Sequence, residues 1–279
     1  MKYGFVLPGG DAREQIEQAV IADQAGWDGV FVWESHYSVD PWTLLGAMSQ
    51  RTTRVKLGTM LTPLPWRRPW KLAGQVVAVD QLSNGRVILA VGLGAFDDAL
   101  GHTGEITDLR TRAEMLDEAI HLIDGLWTGR LRYQGRHYRV DFEARTDIPT
   151  SVAPVQQPRP PRWVVGVWPR PKSMERALRC DGLIPQTMDA NGGRETTPDD
   201  IREIVSWLAD RGRTLEGFDI IAQGETPTDG RSAAAEMVRA WSEAGCTWWL
   251  ETRWGDLAIS PDRMQDVRKR LEAGPPAIG

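Results

Sequence analysis

Cysteine and histidine are scarce in this chain of 279 residues, which has two of the first and four of the second. Cys180 and Cys246 lie far apart in apolar surroundings. They cannot supply a disulfide framework or a thiolate metal site, and two reduced core thiols are expected. His36, His102, His121 and His137 are as dispersed, with no His-x-His pair and no His/Asp/Glu cluster, so no metal centre is expected. Long apolar runs are missing too. No stretch of about 18 apolar residues exists, which predicts no membrane span. No charged leader precedes the apolar run Tyr3–Leu7, so the expected location is cytoplasmic. There is no P-loop and no Gly-x-Ser-x-Gly elbow. No lysine stands where a Schiff base would need one, because Lys56 falls inside a strand and Lys71 near a helix start. Basic residues are mostly arginine and scattered. With a net charge of −5, this argues against nucleic acid or an anionic membrane as partner and leaves a small-molecule substrate.

What the chain does have is alternation. Lys2–Leu7 reads as a strand, and Asp11 with Glu14 caps the helix that follows. Trp27–Trp33, Arg54–Leu61 and Val87–Val91 are the next strands, separated by helices over Pro41–Arg51 and Pro69–Leu82. Thr111–Trp127 is a long amphipathic helix. Arg162–Trp168, Gly182–Pro185, Phe218–Gln223 and Thr247–Glu251 complete the strands. Ser173–Arg179, Pro198–Arg211, Ser232–Ala244 and Pro261–Ala273 complete the helices. Strand starts recur about every 30 residues, the period of a βα unit. A weak repeat runs in phase with them: Ala25–Glu34 is echoed at Cys180–Ile184 and at Ala244–Glu251, each a helix stop followed by a buried strand. Eight such units predict an α/β fold, a closed (β/α)8 TIM barrel. It is expected as a single domain over residues 1–279, with an insertion at about 129–161 between the fourth helix and fifth strand. That insertion holds a hairpin around Gln134-Gly135 and a proline-rich run. An open doubly wound sheet is the alternative, but Pro8-Gly9-Gly10-Asp11 is not its glycine fingerprint.

Barrel active sites sit at the C-terminal ends of the strands. That rule selects Leu7 and Pro8, Glu34 and His36, Thr59, Leu61 and Thr62, and Gly92 and Gly94. Further round it selects Trp168, Arg170 and Lys172, then Gln186, Gln223, Glu225, Glu251 and Arg253. His36 is the one histidine at such a position and can move a proton near neutrality; a loop histidine bonded to a neighbour is the other reading. Gly92 and Gly94 allow close backbone approach, or mark a tight turn. Gly166–Ser173, with Arg170, Lys172 and Ser173 before a helix, suits a phosphate, or is a solvated turn with a serine cap. With so few acids, bases and nucleophiles, a cofactor is expected to carry the hard step. Thirteen tryptophans suggest an aromatic-lined cleft.

Several of these stretches carry a resemblance. Trp33-Glu34-Ser35-His36, Thr59-Met60-Leu61-Thr62, Arg68-Pro69, Leu82-Ser83-Asn84-Gly85-Arg86 and Gly92-Leu93-Gly94 occur in the order found in luciferase-like oxidoreductases. Arg112, Leu126-Trp127 and Tyr133–Tyr138 extend the match, as do Pro158–Gly166 and Ala177–Gly182. The chain therefore resembles the luciferase-like family of flavin- and deazaflavin-dependent enzymes. The resemblance implies a barrel that binds FMN or the deazaflavin coenzyme F-420. The ring would lie near Leu7, His36, Thr59 and Met60, propped by a non-prolyl cis peptide around Thr59–Leu61. The phosphate would lie toward Trp168–Ser173, and Gly92 and Gly94 would leave room for cofactor or substrate. A homodimer is implied by analogy. Two positions depart from many deazaflavin-dependent members: Ala95 stands where they carry a glutamate, and Ser35-His36 replaces an Asp-His pair. Proton work then falls to His36 or Glu34, and the cofactor stays open between FMN and F-420. Trp33, Trp42, Trp66 and Trp168 point to a small apolar or planar substrate. A non-catalytic flavin-binding barrel and a flavin-independent lyase or isomerase are the competing readings.

Overall fold

The structure, a computed structural model, describes residues 1–94, 100–130, 132–143, 153–227, 231–253 and 261–276. Eight parallel strands close on themselves: β1 (Lys2–Leu7), β2 (Gly29–Val32), β3 (Lys56–Thr59), β4 (Val87–Gly92), β5 (Arg162–Trp168), β6 (Gly182–Asp189), β7 (Asp219–Gly224) and β8 (Trp248–Glu251). Each pairs in parallel with the next, and β8 returns to β1 through Lys2↔Trp248 to Phe5↔Glu251. The barrel expected from the βα period is therefore present. Helices follow the strands in turn: α1 (Ala12–Ala25), α2 (Pro41–Ser49), α3 (Pro69–Leu82), α4 (Leu109–Trp127), α5 (Pro171–Ala177), α6 (Pro198–Ala209), α7 (Arg231–Ala244) and α8 (Pro261–Glu272). Their starts follow local chemistry. Asp11 and Glu14 form the expected capping box on α1, Thr197 and Asp200 form one on α6, and α2, α3, α5 and α6 have proline in the first turn.

Strand alternation divides the core into two layers. Tyr3, Phe5 and Leu7 face the helices, whereas Val6 joins Phe31, Ile88, Ala90, Trp163, Ile184, Ile221, Trp248 and Leu250 inside the barrel. Three rings fill that interior. Phe31 stacks on Trp163 at 5.3 Å, and Trp248 meets both edge-on at 6.0 and 5.2 Å. Glycines opposite make the space: a Cβ on Gly4, Gly29 or Gly58 would press on Phe31 at 2.8–2.9 Å. Met60, Leu61 and Val165 pack half-buried against the same cluster.

Most ends shift by one or two residues, and the larger departures from expectation are these. β3 leaves its ladder at Thr59, not Leu61, and Thr62–Pro63 pairs again beside Val91 and Gly92 of β4. β6 does not stop at Pro185. It runs to Asp189 and folds back on Gly192–Arg194, because a proline removes only one ladder donor. α5 starts at Pro171 rather than Ser173. Short helix Leu100–Thr103 was not foreseen. The insertion carries the expected hairpin, Arg132–Gln134 against Arg139–Asp141. Residues 144–152 of it lie outside the described residues.

Candidate active site

The end of β2 leads into Glu34, Ser35 and His36, and the chain returns over them at Trp66 and Arg67. The Arg67 guanidinium donates to Glu34 Oε1 at 2.6 Å and to Asp40 Oδ2 at 3.2 Å. Asp40 is also the N-cap of α2, accepting from the Thr43 amide at 2.8 Å. The ion pair is thus pinned to a helix terminus. The His36 ring lies on the Trp66 indole, with centroids 3.9 Å apart. Glu34, His36, Asp40, Trp66, Arg67 and Glu105 line a pocket of about 300 Å³ that opens to solvent.

Electrostatically, Glu34 is the unusual member. Its side chain is 5% exposed, and burial pushes its carboxyl up to about 7, although Arg67 and the nearby Thr62 hydroxyl pull the other way. Glu34 Oε2 and the Trp66 indole N–H are both buried without a hydrogen bond. Asp40, held by the Thr43 amide and by Arg67, is lowered instead. A carboxyl that titrates near neutrality beside an imidazole can give or take a proton. Glu34 and His36, chosen by the strand-end rule, are brought together. Arg67, Asp40 and Glu105 were not anticipated; the only sequence signal was a conspicuous Arg67-Arg68 pair close to Trp66.

The other expected site residues divide. Met60 and Leu61 lie at the top of the barrel interior, and the Met60–Leu61 peptide is cis, within the span named from the family resemblance. Leu7 is fully buried in the helix-facing layer, since alternation turns Val6 inward instead; this removes its side chain from the mouth. Thr59 is fully buried, donating to the Ala90 carbonyl at 3.2 Å and accepting from Thr62 at 2.9 Å. Thr62 in turn accepts from the Trp42 indole. The room beside Gly92 is taken by Leu61, and that beside Gly94 by Trp66 and Pro63. Gly166 lets Leu183 and the Met174 sulfur of α5 pack close. Trp168 turns outward, donating to Glu203 at 3.2 Å and meeting Trp207 edge-on. Ser173 is not the cap of α5. Arg170 holds that position without a side-chain bond, while the Ser173 hydroxyl accepts from the Val167 amide at 2.9 Å. Arg170 and Lys172 are exposed.

At the rim, Gln186, Gln223 and Glu225 are exposed. Glu251 is fully buried, bound to Thr226 and the Trp249 indole with Arg253 and Arg270 alongside. That network braces β8 from outside the barrel. Ala95, Phe96 and Asp97 lie outside the described residues. Among the described residues, no three His, Cys, Asp or Glu side chains are placed to hold a metal ion, and no helix is long and apolar enough to cross a membrane.

A closed parallel barrel with a buried, raised carboxyl and an aromatic-backed histidine at its C-terminal face has the layout of a barrel enzyme. Residues 3–273 match the luciferase-like monooxygenase family, and the chain belongs to it. An F420-dependent glucose-6-phosphate dehydrogenase from Amycolatopsis mediterranei is 29% identical, over 94% of this chain and 86% of that protein. The oxygenase component of a flavin-dependent trigonelline monooxygenase from Acinetobacter baylyi is 31% identical over 54% of this chain. That match spans 42% of the relative, so for it and for a Nocardia farcinica dehydrogenase, at 46%, less than half of the relative is matched. In fold, the chain is similar to an F420-dependent secondary alcohol dehydrogenase, with a TM-score of 0.75, 16% identity and 97% of each chain covered. It is also similar to the oxygenating constituent of 3,6-diketocamphane monooxygenase from Pseudomonas putida in complex with FMN. There the TM-score is 0.71 and the identity 18%, covering 100% and 99% of the two chains. Both cofactors occur among these relatives.

Proposed function

We propose that the protein is an oxidoreductase that uses FMN or coenzyme F-420 on a small organic substrate, with Glu34 and His36 handling the proton. One observation carries the reading: a buried carboxyl that titrates near pH 7 shares a solvent-open pocket with His36, on the barrel face where such enzymes react. The residues present fit a flat ring. Met60, Leu61 and Val165 form a half-buried apolar floor, and the Trp66 indole N–H, buried without a hydrogen bond, is left to donate to a bound ring. The exposed Arg170 and Lys172 after β5 suit the phosphate end. When bound, the cofactor supplies hydride transfer or oxygen activation.

The remaining work falls to this chain's own side chains. The apolar floor excludes water from the barrel side. Arg67 holds Glu34 in one orientation, and the Trp66 indole fixes the plane of His36. Glu34 then exchanges its proton over the neutral range, and His36 stands beside it to pass a proton to or from the substrate.

The test is titration with FMN and with F-420, followed by fluorescence and calorimetry. Binding of one with micromolar affinity is expected, and binding of neither overturns the proposal. In the loaded protein, His36→Asn is expected to lower turnover by about 10²-fold or more with cofactor affinity unchanged. A loaded protein inert to reductants and to a broad substrate panel would instead favour a non-catalytic flavin-binding barrel.

A further inference from the structure

Resting on that reading, we propose that the pocket beside Glu34 receives a positively charged substrate head, a protonated amine or amidine on a flat apolar body. Three carboxylates line the pocket, those of Glu34, Asp40 and Glu105, against one arginine. That arginine is already committed, since Arg67 bonds Glu34 Oε1 and Asp40 Oδ2. Its charge is offset by those two carboxylates, which weakens its pull on an anion. Glu34 Oε2 is buried, its side chain 95% covered, and the Thr62 hydroxyl lies close to the carboxyl but no donor meets Oε2 in good hydrogen-bond geometry. Buried acceptors are almost always satisfied, so this one is open to a donor brought from outside. An ammonium supplies both the donor and the charge that the surrounding carboxylates favour. A neutral hydroxyl could donate to Oε2 but would gain nothing from Asp40 and Glu105. A carboxylate or phosphate would meet the like charge of Asp40 and, above about pH 7, of Glu34.

The walls fit the body of such a molecule. Trp66 presents an indole with His36 stacked against it, and aromatic faces attract cations and flat apolar groups. Arg112 offsets part of the charge of Glu105, so the negative field is centred on Glu34 and Asp40.

Binding of a cation also carries a proton signature. Arg67, Asp40, His36 and the Thr62 hydroxyl surround Glu34, whose carboxyl titrates at about 7. A cation favours the carboxylate, so binding releases a proton below that value and tightens as the pH rises through it.

Cofactor affinity is measured first, and the loaded protein is then titrated by calorimetry with benzylammonium, benzyl alcohol and benzoate. The ammonium is expected to bind about tenfold or more tightly than the alcohol, with benzoate weakest. Its affinity is expected to rise from about pH 6 to about pH 8, with proton release seen as a dependence of the heat on buffer. Glu34→Gln is expected to abolish the preference while cofactor affinity holds. Should that variant not fold, Asp40→Asn is expected to reduce the preference. Equal binding of the alcohol, tighter binding of benzoate, or no binding of the ammonium by a protein that does take up cofactor overturns the inference. Failure to take up either cofactor overturns the functional reading instead.

Discussion

Glu34 shows how a single residue can work against the fold that holds it. Its carboxyl is raised from 4.5 to about 7. A carboxyl that holds its proton more tightly when folded stabilises the protein fully below its unfolded value, about pH 4.5. It gives that stability up as the pH rises through its folded value, about 7. The difference, at about 1.4 kcal/mol per pH unit, is roughly 3 kcal/mol. Glu34→Gln cannot ionise, so its stability relative to the parent is expected to rise by roughly 2–3 kcal/mol between about pH 5 and about pH 8. Urea unfolding at the two values measures this, and a difference that does not change with pH would sink the argument. The same substitution removes the proposed proton donor, so a gain in stability accompanied by a loss of turnover is the pairing expected if Glu34 serves the reaction.

Among the elements, the insertion hairpin depends on α4. Glu118 accepts from the backbone amides of Arg136 at 2.8 Å, His137 at 3.0 Å and Tyr138 at 3.1 Å. Glu114 bonds the side chains of Arg136 and His137. Gly135 sits against that carboxylate, and a Cβ there would overlap Glu118 Oε2. Gly135→Ala is therefore expected to push the hairpin off α4. Hydrogen exchange should lose protection over Arg132–Asp141 and leave the barrel strands unchanged; protection intact in the hairpin would contradict this. Another element explains why a sequence signature need not mark a site. Asn84 and Gly85 stop α3 with positive φ of 53° and 81°, and Arg86 then donates to the Ser49, Thr52, Val55 and Ser83 carbonyls. The Leu82–Arg86 motif belongs to the family resemblance, yet here it ties together the strand-entry face, opposite the pocket.

At the scale of the molecule, the barrel was legible because its signal is periodic: apolar strands, capped helices and a βα repeat all agree. Position relative to strand ends was legible too, and it picked out Glu34 and His36, which line one pocket. Side-chain direction was not read, although alternation fixes it: Leu7 and Trp168 face outward for that reason. The Arg67–Glu34 bond was beyond reach, because it joins residues 33 apart whose meeting depends on how two loops pack. The same fold-wide alternation sets up a last contrast between two glycines. Gly58 points inward on β3, where a Cβ would lie 2.7 Å from the Ile88 carbonyl oxygen and 2.9 Å from Phe31. The backbone oxygen cannot move aside without disturbing β4, and Phe31 is held by Trp163 and Trp248. Gly74 lies exposed on α3 with nothing within 4 Å of its missing Cβ. Gly58→Ala is expected to destabilise by about 1–3 kcal/mol through overpacking. Gly74→Ala should stabilise by about 0.5–1 kcal/mol through helix propensity alone. Equilibrium unfolding of the two variants checks the signs. A harmless Gly58→Ala would mean that the three-ring interior has slack, and that the inward glycines are not what seats Phe31, Trp163 and Trp248.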